Sequence, residues 1–107
     1  LWPMKTLALY SLAATLYVAG GAFMKYSLGL TRLVPTLALA AFFSSGALIQ
    51  AWAMKHEPLG PSYVVVLGLE AMLAVIAGRV IFGEPFSVKM LGGVVLAVLG
   101  IAVLRLG

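Results

Sequence analysis

The chain contains no cysteine, a single histidine and only three acidic residues in 107. Without thiols there is neither a disulfide framework nor a thiolate metal site, and the redox compartment is unreadable. The histidine, His56, sits between Lys55 and Glu57 in a short loop, and a lone loop histidine makes no metal centre. No nucleophile has a base beside it, no glycine-rich loop precedes a basic residue, and no side-chain set has metal-ligand spacing. No enzyme, metal or cofactor is expected. The scarcest feature is charge, at 9% of residues against roughly a quarter in a typical soluble domain. With 64% of residues apolar, the composition is that of a membrane protein. Its length suits one small domain and no soluble catalytic unit beside it.

About 20 apolar residues are needed to cross the hydrocarbon core. Four stretches qualify, at about 4–24, 35–54, 60–82 and 88–104. The first follows Lys5 as the core of a signal peptide would, but it is longer than a usual one and more spans follow, so it is read as retained. "KYSLGLTRLVP", "KHEPLGP" and "GEPFS" are the loops, and Glu84 is placed in a turn. Uniform runs of this length must be helical in lipid, where backbone groups have only each other as partners. The expected fold is all-α: a single four-helix transmembrane domain over residues 1–107. The formal charge of +4 is divided between the two sides. Lys5, Lys55 and Arg105 fall on one, and Lys25, Arg32, Arg79 and Lys89 on the other. That balance sets no orientation and permits insertion both ways round. The basic residues read as headgroup anchors rather than a nucleic-acid surface, and Trp2 and Trp52 as interfacial belt residues.

Within "YVVVLGLEAMLAVIAG" (63–78) stands one acid, Glu70. An ionisable group at that depth is costly and usually serves a substrate, an ion or a proton. Tyr63, Val66 or Leu67, Glu70, Ala74 and Gly78 recur at three and four residues, sharing one helix face. In the first span Tyr10, Tyr17 and Met24 share a face with Ala13, Ala14 and Gly21. A phenolic face could meet an acidic one across a cavity, with Glu70 accepting a hydrogen bond from Tyr17 or Tyr63. Burial favours the neutral acid and a bound cation favours the carboxylate, so one group could serve both in turn, with the rings adding cation–π contact. The alternative is a structural Glu70, bonded to Ser44, Ser45, Trp52 or a tyrosine. Ser45 and Trp52 share a face of the second span and are expected, with Gly21 and Val66, to line the chamber. Gly93 and Gly100, seven apart on a fourth span with no polar residue from Met90 to Leu104, read as a packing seam.

"MKYSLGLTRLVP" (24–35), "EPLGPSYVV" (57–65), "FGEPFS" (82–87) and "GGVVLAVLGIAVL" (92–104) resemble the small multidrug resistance transporters, part of the drug/metabolite transporter superfamily. The first-helix exit is the most specific match. The resemblance implies an eight-helix antiparallel dimer, of identical or paired subunits, in the inner cell membrane. Helices one to three would line a substrate chamber and helix four would hold the dimer. It also implies a glutamate in the first helix, used alternately by substrate and protons. Aligned through "MKYS", that position is Tyr17, while Val66 replaces an aromatic and Glu70 replaces a glycine of the third helix. The acid is relocated. The expected function is efflux of an amphipathic or cationic organic compound, in exchange for protons through Glu70, with Tyr17, Tyr63 and Tyr10 as binding partners. A non-coupled subunit of a heterodimeric pair, or a lipid-linked substrate translocase subunit, stands as the alternative.

Overall fold

The computed structural model describes residues 3–106, with side chains described to residue 104. The expectations for Trp2 and for the Arg105 side chain lie outside the described residues. Four α-helices follow one another: α1 (Met4–Tyr26), α2 (Leu33–Ala53), α3 (Leu59–Phe82) and α4 (Val88–Leu106). The first three are long and apolar enough to span a membrane, and the apolar stretch of α4, Val88–Leu104, is shorter. It falls at the low end of the roughly 17–25 residues that suffice.

Proline places the helix starts. Pro3 and Pro58 stand at the N-caps of α1 and α3. α2 begins at Leu33, two residues earlier than the expected start at Pro35. A proline in the first turn breaks nothing, because the first four N–H groups of a helix have no intrahelical acceptor. α3 ends on Gly83, whose φ of 64° lets the Glu84 N–H reach back to the Gly78 carbonyl at 3.1 Å. The turn after α1 is tighter. Leu28, Gly29 and Leu30 all have left-handed backbones, with φ of 48°, 71° and 69°, and each leucine there costs about 1–2 kcal/mol. Buried Ser27 holds the turn: its hydroxyl donates to the Met24 carbonyl at 2.8 Å and accepts from the Leu30 N–H at 3.2 Å.

α1 is the hub. It packs against both α2 and α3, while α4 leans on α3. Tyr10, Ala13, Ala14, Val65 and Val66 are fully buried where α1 meets α3 and α2. Glycines allow the close approaches: Gly46 of α2 lies under the Tyr17 ring and Gly20 of α1 under Phe43. Much of the remaining surface is apolar and uncovered, as on Leu37, Leu48, Val80 and Leu96. Helices in lipid need no polar outer face, so this surface suits hydrocarbon and not water.

Candidate functional site

Glu70 lies near mid-height of α3, half-buried, and faces α1. Two adjoining cavities meet at it. One, of about 220 Å³, runs between α1 and α3 past Tyr17, Gly21, Ala74 and Gly78 to Lys25 and Glu84. The other, of about 200 Å³, opens on the α2 side and is lined by Tyr17, Phe43, Gln50, Tyr63 and Val66 as well as Glu70. Small residues make the first cavity, since Gly21 and Ala74 leave unfilled the space that larger side chains would occupy. The expected grouping of Tyr17, Tyr63, Val66, Gly21 and Glu70 is therefore present, divided between two hollows that share Tyr17 and Glu70.

The hydrogen bonding differs from the expectation. Tyr17 donates to Gln50 Oε1 at 2.7 Å and not to Glu70. Its ring is held by stacking on Phe43, with centroids 5.7 Å apart, and by the notch at Gly46. Among the described residues Glu70 makes no hydrogen bond and no ion pair. None of the hydrogen bonds expected of a structural Glu70, to Ser44, Ser45, Trp52 or a tyrosine, is made among the described residues. Gln50, only 5% exposed, keeps Nε2 without a partner.

Other expected site residues lie elsewhere. Tyr10 is 0% exposed and donates to Ser62 at 2.7 Å, so it is a core residue and not a group facing these cavities. Ser45 is exposed on the outer side of α2. Trp52, 60% exposed, lies under the Lys5 ammonium at 5.1 Å, beside Lys55 and His56 at the end of the bundle opposite Lys25. That position fits the interfacial belt and not the cavities beside Glu70.

At the other end Lys25 and Glu84 form a 2.8 Å ion pair, where headgroup anchoring and a simple turn were expected. Glu84 sits directly over Gly78, where any Cβ would collide with its carboxylate. The Lys25 ammonium also lies 4.6 Å from the Phe82 ring centre, and Arg79 donates to the Glu84 carbonyl at 3.3 Å. Of the charged groups lining the first cavity, Lys25 and Glu84 compensate each other. The charge left over is that of Glu70.

A bundle of apolar helices with an unpaired carboxylate at mid-depth between two cavities is the architecture of a small membrane transporter. The comparisons with known proteins place it further. The Small Multidrug Resistance protein family profile matches residues 5–98. A guanidinium exporter of Escherichia coli K12 is 40% identical over 96 residues, covering 89% of this chain and 90% of the relative. Guanidinium exporters of Citrobacter freundii and Klebsiella oxytoca are 38% identical over the same coverage. The chain belongs to the small multidrug resistance family. It is accordingly a multi-pass transporter of the cell membrane and not an enzyme.

Proposed function

We propose that the chain exports a small organic cation in exchange for protons, with Glu70 as the group that binds each in turn. What carries the reading is Glu70 itself, an acid at mid-depth with no partner, shared by two cavities whose other charges cancel. An unpaired carboxylate there is costly. A cation or a proton relieves that cost, and only one of them can do so at a time. Tyr17 and Tyr63 line the same cavity as Glu70, and aromatic rings beside a carboxylate suit a cation. The relatives named as guanidinium exporters make guanidinium the first substrate to try, ahead of the larger amphipathic cations.

The working unit is a dimer in which α4 supplies the seam. Gly93 and Gly100 have no atom within reach of a Cβ in the subunit, as a helix face awaiting a close partner would. Two oppositely inserted copies would give the inverted symmetry on which alternating access rests. A second reading comes from Tyr17, which stands where the family carries its first-helix glutamate. In a paired dimer the companion would supply that acid, and this chain alone would move nothing.

Proteoliposomes holding the purified chain alone separate the two. Guanidinium-driven currents on a solid-supported membrane, reversed by an opposing pH gradient and lost in Glu70→Gln, are the expected result. Silence from a folded wild-type dimer would remove the self-sufficient exporter in favour of the paired subunit. Unchanged currents in Glu70→Gln would remove the carboxylate from the mechanism.

A further inference from the structure

The cavity of about 220 Å³ that ends at Glu70 has Lys25 and Glu84 at its other end. From Gly78, directly under the Glu84 carboxylate, α3 runs about 12 Å along its axis to Glu70. The sides of the cavity, where Ala74 is exposed, open toward hydrocarbon or a second copy, so a charged solute approaches from the ends of the bundle. At this end the Lys25–Glu84 pair stands across the way. Glu84 is its fixed half. The Glu84 N–H donates to the Gly78 carbonyl at 3.1 Å, its carbonyl accepts from Arg79 at 3.3 Å, and Gly78 has no side chain to push the carboxylate aside. Lys25 is the movable half, a long side chain in the last turn of α1 whose ammonium also has the Phe82 ring centre 4.6 Å away. Both side chains are about half-exposed, and a pair so placed holds weakly. That strength suits a contact that must part at every passage.

We propose that Lys25 and Glu84 are a latch: paired, they close this end of the Glu70 cavity to charged solutes, and parted, they open it to the cation. The proposal rests on the reading of Glu70 as the partner of the cation. With two copies inserted oppositely, the two latches stand at opposite faces of the membrane. Alternating access then becomes one latch open while the other is closed.

The chain's lack of cysteine lets a single thiol report on the cavity. Ala74→Cys places that thiol on the cavity wall, one helical turn from Glu70, and the chain is held in lipid nanodiscs. Its modification is timed with two methanethiosulfonates of similar size, one bearing a trimethylammonium and the other a sulfonate. The geometric mean of the two rates cancels, to first order, the field of any charge that a second substitution removes. Lys25→Met and Glu84→Gln remove opposite charges but the same latch. Each should raise that mean about two- to fivefold, the shift in open population that an exposed pair can carry. An unchanged or lowered mean in either variant overturns the proposal. Gly21→Cys, on the facing wall where an added Cβ meets nothing within 4 Å, repeats the test should Ala74→Cys not fold. Guanidinium separates the latch from the reading beneath it. It should slow modification of the thiol when Lys25 and Glu84 are intact, and lose that effect in Glu70→Gln. Protection that is absent, or that survives Glu70→Gln, removes Glu70 as the cation's partner, while the rise in both latch variants would still identify the gate.

Discussion

Tyr17 stands at the point where local chemistry and packing meet. Its hydroxyl satisfies Gln50 Oε1 and its ring rests on Gly46, where a Cβ would lie 2.8 Å from ring carbon Cε1 and 3.3 Å from the Ala13 carbonyl oxygen. Tyr17→Phe leaves the buried amide with no partner at either end, so it should cost about 1–3 kcal/mol, read as a lower thermal midpoint in detergent. Gly46→Ala should cost a similar amount, about 1–3 kcal/mol, because a stiff ring and a backbone carbonyl both stand in the way, and it should weaken cation binding by shifting Tyr17. Gly68→Ala is the contrast. There the Cβ meets the tip of Ile101, at 2.5 Å from Cδ1, and that tip can turn aside toward a loosely covered helix. Its thermal midpoint should stay close to that of wild type, and a loss as large as that of Gly46→Ala would refute the distinction.

At the scale of helices, the Lys25–Glu84 pair ties the end of α1 to the end of α3 and closes one end of the cavity that leads to Glu70. Both side chains are about half-exposed, so Lys25→Met or Glu84→Gln should each change stability by less than about 1 kcal/mol. A thermal shift as large as that of Tyr17→Phe would contradict that assignment. The helices themselves were legible from apolar runs, and the Glu70, Ala74, Gly78 face from its spacing of four. Gln50 was not. α2 is apolar on every side, so periodicity cannot tell which stripe turns inward. The shared face of Ser45 and Trp52 points inward on sequence grounds alone, whereas the helix faces α1 with Phe43, Gly46 and Gln50. The one cue was a lone amide four residues beyond a glycine. The ion pair was hidden for a different reason: 59 residues separate Lys25 from Glu84, and only the packing of α1 on α3 brings them together.

For the whole molecule, the uncovered face of α4 is what the proposed dimer would use. α4 buries no described side chain, and Gly92, Gly93 and Gly100 face open space. If the seam lies there, Gly100→Leu should reduce the dimer fraction in detergent, measured by analytical ultracentrifugation, and abolish transport without unfolding the subunit. A dimer as stable as wild type would move the seam elsewhere. The central claim, that one relocated carboxylate serves substrate and proton alternately, is met most directly by watching the proton. Guanidinium added to the detergent-solubilised chain, in weakly buffered medium at mildly acidic pH, should release protons in proportion to the cation bound, and Glu70→Gln should release none. Binding with no proton release at any pH from 5 to 8, or the same release from Glu70→Gln, would contradict the account.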